Sequence, residues 1–240
     1  MKQNMTRTLG KGTFISIGSP VVTEIVSMMG FDWMLFDMEH GCINESNLLQ
    51  NLQAVRCPDV KPIVRVRTTE PSIISRALDA GAYGIMVPHV STQEQAEAVV
   101  DAMRYPPIGS RGFSTSVRAM DFGMSPVKDT LVWEPPLFIA QIESREGVEA
   151  ASQIAAVDGV DMLFVGPRDL SLDLTVREDP MDFDLALRLV AKAAAASGKQ
   201  AGILVRNIAD RDKLEEYGYS ALAFGSDMGA LKKGYDNLKP

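Results

Sequence analysis

Eight short apolar runs, each followed by a stretch of helical character, constrain this chain more than any other feature of its sequence. The runs are Thr13–Ile17, Trp33–Phe36, Pro62–Val66, Gly84–Val87, Leu137–Ile142, Met162–Val165, Ala201–Val205 and Ala221–Phe224. Each is too short for a stable helix, and together they read as strands. Several, such as FIAQI and MLFVG, are apolar at nearly every position. Continuous apolarity marks strands covered on both faces, as in parallel sheets.

The stretches between them carry helix signals. Ser19 precedes Pro20, an N-cap followed by proline at the first helical position. Asn44 is placed to cap a helix carrying Leu48, Leu49, Leu52 and Val55. Ser91 and Glu94 form a capping-box pattern ahead of Ala96, Val99, Val100 and Met103, one face at helical spacing. Val148, Ala151 and Ala155 make a similar stripe, and Asn207 begins a further segment. Gly30, Gly81 and Gly218 sit where helices should stop. Strand and helix thus alternate through all 240 residues with no break in composition. Eight such units predict a single-domain (β/α)8 TIM barrel over residues 1–240. A doubly wound sheet is the alternative, but its glycine fingerprint is missing. Tyr105 to Pro136, rich in Pro, Gly and Ser, reads as one long loop with a short helix inside.

Charge excludes some functions. A formal net charge of −7 without a basic stripe makes nucleic acid or an anionic membrane a poor partner. No apolar run is long enough to span a bilayer, and MKQNMTRTLGKG lacks the apolar core of a signal peptide. Cys42 and Cys57 match no metal spacing and read as free thiols in a reducing compartment. The cytoplasm is the expected location.

In a barrel the chemistry lies at the C-terminal ends of the strands. Here those ends are conspicuously polar: Asp37, Glu39 and His40 after the second strand, Arg65 and Arg67 after the third, and His89 after the fourth. Gln141 and Glu143 close the fifth, Arg168 and Asp169 follow the sixth, and Ser226 and Asp227 follow the eighth. Glu143 and Asp169 lie one βα unit apart, on strands roughly 4.8 Å from each other. Two hard carboxylates there can share a divalent cation completed by waters and substrate oxygens. Alternatively they cap helices or pair with Arg145 or Arg168. His40 can serve as a general base with Asp37 orienting its ring, or be a hydrogen-bonded structural residue. Arg65 and Arg67 are equally placed to meet a substrate carboxylate or enolate. His89 reads as shaping the mouth.

These segments, taken together, resemble the HpcH/HpaI aldolase family of metal-dependent pyruvate aldolases. The resemblance is carried by FDWMLFDMEHG, PIVRVR, SRALDAGAYGIMVPHV, RYPPIGSRG, QIESREGVE, GVDMLFVGPRDLS and AFGSDMGAL, in that order. It implies a (β/α)8 barrel with Glu143 and Asp169 as ligands of a divalent cation, Mg2+, Mn2+ or Co2+. It implies His40 as the catalytic histidine with Asp37 as its partner, and Arg65 beside the pyruvate oxygens. Gln141 is implied to hold a metal-bound water, and the backbone around Arg168 to cradle the pyruvate carboxylate. Asp79 is implied to serve the site of a neighbouring subunit in a homo-trimer or hexamer.

The implied activity is cleavage of 4-hydroxy-2-oxo acids to pyruvate and an aldehyde. Two other readings stand beside it: an acyl-CoA lyase of the citrate-lyase β-subunit or malyl-CoA lyase type, and a non-catalytic barrel that binds 2-oxo acids. No Schiff-base lysine is needed, since Lys61 precedes its strand and so lies on the wrong rim. The chain departs from the family pattern at 115–136 and 172–180, regions expected to shape the aldehyde pocket.

Overall fold

A computed structural model describes residues 7–124 and 134–239. Eight parallel strands close on themselves in sequence order. They are β1 (Lys11–Ile15), β2 (Trp33–Asp37), β3 (Lys61–Arg65), β4 (Gly84–Val87), β5 (Leu137–Ile142), β6 (Met162–Val165), β7 (Gln200–Val205) and β8 (Tyr219–Ser226). All eight expected runs are strands, and those at 84–87, 137–142 and 162–165 match to the residue.

Helices fill the returns: α1 (Pro20–Ser27), α2 (Leu48–Gln53), α3 (Pro71–Asp79), α4 (Gln93–Met103), α5 (Arg145–Glu149), α6 (Ala151–Ala156), α7 (Pro167–Thr175), α8 (Phe183–Ala196), α9 (Arg211–Glu216) and α10 (Asp227–Asp236). Gly30, Gly81 and Gly218, expected at helix stops, all adopt positive φ. Three local expectations shift. The capping box of α4 is Thr92 with Gln95, not Ser91 with Glu94. Ser91 instead bonds Ser144 across to the next unit, hydroxyl to hydroxyl at 2.9 Å. Asn47, not Asn44, precedes α2, and Val55 falls beyond its end. The stripe after β5 breaks into α5 and α6. In the long loop, the short helix is a 3-10 turn at Arg118–Gly123, and residues 125–133 lie outside the described residues.

The apolar side chains sort into two clusters, and the period-2 pleat explains why. One cluster lines the barrel interior: Phe14, Trp33, Leu35, Ile63, Met86, Leu137, Ile139, Met162, Phe164, Ala221 and Ala223. The other joins the alternate strand residues, such as Phe36, Val64, Ile85, Ala140, Val165 and Ile203, to the helices. Following the interior-facing alternation towards the C-terminal ends leads to Asp37 on β2, Arg65 on β3, and Gln141 then Glu143 on β5. These are among the few charged or polar side chains buried in the protein. Beneath them lie aromatics: Phe164 meets Trp33 edge-on at 6.2 Å and Phe14 at 6.4 Å. The interior is therefore a packed apolar plug with a polar lid of side chains.

Candidate active site

The site rests on a buried arginine held between two carboxylates. Arg65 donates from Nε to Asp37 Oδ1 at 3.0 Å and from Nη2 to Asp37 Oδ2 at 2.8 Å. This is the two-pronged geometry that fixes a guanidinium plane. Register places the pair side by side, since Asp37 and Arg65 are direct partners across β2 and β3. Nη1 stands 3.0 Å from Glu39 Oε2, and the guanidinium lies 5.4 Å over the Phe14 ring. Burial alone would lower the pKa of Arg65. The bond and charge of Asp37, with Glu39 and Glu143, outweigh it and hold the group above its usual value. It remains a fixed cation.

Geometry reassigns Asp37. Its Oδ1 also accepts from the backbone amides of Glu39 and His40, at 3.1 and 3.2 Å. Asp37 thus shapes the strand-end turn and clamps Arg65, which orients the backbone of His40 rather than its imidazole. The reason is register: Arg65 lies directly across the ladder and takes both carboxylate oxygens. The carboxylate facing the His40 ring is Glu39, whose Oε1 is 3.7 Å from His40 Nε2 and 3.7 Å from His89 Nε2. Sequence offers Glu39 only as one of three polar residues closing the second strand. Its spacing of two from Asp37 was the available signal, since that keeps it on the interior face.

Across the mouth, Glu143 is buried at 4% exposure. Gln141 donates from Nε2 to Glu143 Oε1 at 2.6 Å, and the backbone amide of His89 donates to Glu143 Oε2 at 3.1 Å. His89 Nδ1 lies 3.3 Å from the same oxygen. His89 adopts φ of +54°, in the left-handed region, so the turn after β4 is bent to aim both its amide and its ring at Glu143. His89 is therefore a contact residue of the central carboxylate and more than a shaper of the mouth. Burial raises the pKa of Glu143. The imidazole and amide of His89 oppose this, while the charges of Glu39 and Asp169 add to it.

Asp169 sits on the first turn of α7, exposed, close enough to Glu143 for that repulsion. Gly166, which precedes α7, lies against Glu143: a Cβ there would fall 2.1 Å from Oε1. Arg168 is exposed beside Asp169. Asp79 ends α3 and is bound within its own chain, accepting from Arg111 at 2.7 Å. It lines a cavity of about 210 Å3 with Met38, Arg76 and Arg118. Arg67, exposed, is paired with Glu45, which separates it from Arg65 and its buried clamp. Asp227 braces the rim, its carboxylate accepting from the amides of Ser16 and Ile17 at 2.8 and 3.0 Å. Lys61 is at the opposite end of β3, bonded to the Thr8 carbonyl.

This donor set fits a divalent cation. Asp37, Glu39, Glu143 and Asp169 bring four carboxylates to a mouth with one buried guanidinium. Among the described residues one buried acceptor there, Gln141 Oε1, lacks a hydrogen-bond partner, and Glu39 Oε2 meets only the Arg65 guanidinium, as an ion pair at 3.0 Å. Buried acceptors call for donors such as ordered water. Among the described residues no three His, Cys, Asp or Glu side chains form a closed cage. Two carboxylates with open positions are the arrangement a hard cation uses when waters and substrate complete its shell.

Barrel and mouth together define a lyase-type α/β barrel built around a buried carboxylate and a clamped arginine. The chain belongs to the HpcH/HpaI aldolase/citrate lyase family, whose sequence pattern matches residues 11–233. It is 39% identical over 229 residues to the 5-keto-4-deoxy-D-glucarate aldolase of Salmonella paratyphi A, covering 95% of this chain and 90% of the relative. Among solved structures, an HpcH/HpaI family protein from Burkholderia cenocepacia superposes with a TM-score of 0.88 at 34% identity, covering 96% and 93% of the two chains. The citrate lyase β subunit of Mycobacterium tuberculosis, at 18% identity and a TM-score of 0.58 over 97% and 99%, shares the fold.

Proposed function

We propose that this protein is a divalent-metal-dependent class II aldolase that cleaves 4-hydroxy-2-oxo acids to pyruvate and an aldehyde. The observation that carries the reading is Glu143. It is a buried carboxylate raised by its surroundings, faced by Asp169 and flanked by the unsatisfied Gln141 carbonyl. Glu143 and Asp169 would hold the cation, which supplies Lewis-acid polarisation of the 2-oxo group when bound. Arg65, fixed by Asp37, places positive charge where the enolate oxygen develops, at no cost of reorganisation. The free amides at the start of α7, around Arg168, receive the substrate carboxylate. Gln141 Oε1 is left to accept from a water beside the cation. His40 takes the C4 hydroxyl proton as the C3–C4 bond breaks, with Glu39 beside its ring. The electron pair of that bond passes to the pyruvate enolate, and the aldehyde leaves.

Asp79 serves a neighbouring subunit's mouth, in a homo-trimer or hexamer. Assembly is supported by α10, where Met228, Leu231 and Tyr235 recur at helical spacing and are all exposed, with exposed Leu238 just beyond its end. The relative's substrate, a deoxy-keto sugar diacid, points to sugar acids as the class to try first. The experiment is a retro-aldol screen of 4-hydroxy-2-oxo acids with Mg2+, Mn2+ or Co2+, reading pyruvate release. Cleavage should vanish with EDTA and return with added metal. Turnover indifferent to EDTA would sink the reading. The citrate lyase β subunit is only 18% identical, and cleavage of malyl-CoA but of no free oxo acid would reinstate the CoA-lyase alternative.

A further inference from the structure

His89 touches the central carboxylate of the mouth, yet the proposed reaction gives it no task. It lies just past β4 with φ of +54°. That left-handed conformation suits glycine and is uncommon for other residues. The other two non-glycine cases among the described residues, Asp121 and Phe122, belong to the 3-10 turn of the long loop. A bend of this kind persists only where its surroundings hold it. Here three successive residues stitch the turn to the end of β5. The His89 amide donates to Glu143 Oε2 at 3.1 Å, the Val90 amide to the Gln141 carbonyl at 3.1 Å, and the Ser91 and Ser144 hydroxyls meet at 2.9 Å.

The bend gives the two oxygens of Glu143 different surroundings. Oε2 receives the His89 amide and also faces the ring, with Nδ1 at 3.3 Å. The far ring nitrogen, Nε2, points to Glu39 Oε1 at 3.7 Å. Oε1 accepts from Gln141 Nε2 at 2.6 Å and lies against Gly166, where a Cβ would fall 2.1 Å from it. Gly166 opens α7, whose first turn carries Asp169. A carboxylate oxygen has two acceptor directions. On Oε2 the amide and the ring face both of them, while on Oε1 the bond from Gln141 leaves one open towards α7. The Glu143 side chain is 2% exposed and the His89 ring 65% exposed. Bulk water is thus excluded from the carboxylate, whereas removal of the ring opens no cavity in the core.

We propose that His89 is a positioning residue that pins Oε2 of Glu143, keeps Oε1 turned towards α7 and Asp169, and thereby sets how tightly the mouth holds its divalent cation. This rests on the aldolase reading, and the experiment separates the two. The full-length protein, stripped of metal, is titrated with Mn2+ by calorimetry, and thermal midpoints of the metal-free proteins are measured alongside. His89→Gly keeps the left-handed bend and the amide and removes only the ring. His89→Asn tolerates the same bend and sets an N–H donor where Nδ1 stands.

His89→Gly should raise the Kd for Mn2+ by roughly tenfold or more, the scale of a lost partner to a ligating carboxylate. The metal-free midpoint should hardly move, and His89→Asn should recover part of the affinity. An unchanged Mn2+ affinity in His89→Gly, no recovery in His89→Asn, or a large fall in the metal-free midpoint would each overturn the proposal. So would an imidazole nitrogen bound directly to Mn2+, seen as nitrogen coupling in pulsed EPR of the wild type and lost in His89→Gly, since His89 would then be a ligand. A wild type that binds no Mn2+ overturns the aldolase reading itself, and this inference with it.

Discussion

The lower and upper halves of the barrel interior are built by the same strands and the same alternation, yet they hold opposite chemistry. Below, Trp33, Ile63, Leu137, Met162 and Phe164 fill the space with close-packed apolar volume. Above, the next interior positions are Asp37, Arg65, Gln141 and Glu143, equally buried. Burying charge is costly unless it is paired, and the upper layer is only partly paired. Asp37 and Arg65 satisfy each other, whereas among the described residues Gln141 keeps an oxygen without a partner and one Glu39 oxygen has only its ion pair with Arg65. The lower half is arranged for stability and the upper half for a ligand.

Breaking one half at a time tests that division. Glu143→Ala should lower kcat/KM by about 10³ or more, the several kcal/mol expected of a lost metal-held charge, while the thermal midpoint holds or rises. A clear fall in the midpoint would make Glu143 structural. Trp33→Ala, in the lower half, should cost about 3–5 kcal/mol of unfolding free energy. Urea titration reads it, and the protein that remains folded should keep its KM.

Gly166→Ala sharpens the boundary between the halves. The new Cβ must push the Glu143 carboxylate aside, since it would lie 2.1 Å from Oε1. Misplacing a reacting group by about 1 Å costs on the order of 10²-fold, so activity should fall by that much with the fold intact. Steady-state kinetics at saturating metal would show whether the loss is in kcat or in metal affinity.

The smallest effect lies outside the barrel wall. Arg177 bonds Asp173, and with the Arg145 amide it holds the Asp173 carboxyl below its ordinary value against the opposing effect of burial. A lowered folded pKa stabilises at neutral pH, and that contribution is lost as pH falls through the acid range below the usual carboxylate value. The pair is partly exposed at the surface and screened by solvent, so its contribution is small. Thermal midpoints of Asp173→Asn should therefore sit slightly below wild type at pH 7 and converge with it towards pH 3.

The barrel was legible because a parallel strand covered on both sides must be apolar throughout, and eight such strands leave little else to build. Strand bounds were sharpest at β4, β5 and β6, where turn residues or charge punctuate both ends. They slipped at β1 and β8, where Gly12 and Gly225 lie inside the strand. The capping box of α4 slipped by one residue because Ser91 and Thr92 are both able caps, and only the chain's path chooses between them. The candidate residues are all near the mouth except Asp79, whose carboxylate answers to Arg111 within this chain.

Sequence by itself determined the architecture, the rim on which chemistry falls, and the residue types gathered there, since hydrophobic periodicity and strand polarity are local properties. Only the tertiary structure decided the pairings. Asp37 belongs to Arg65 rather than to the His40 ring, because register across two strands places them side by side. His89 and Gln141 converge on Glu143, and Glu39 stands between two imidazoles, because barrel closure brings together turns that lie far apart in the chain.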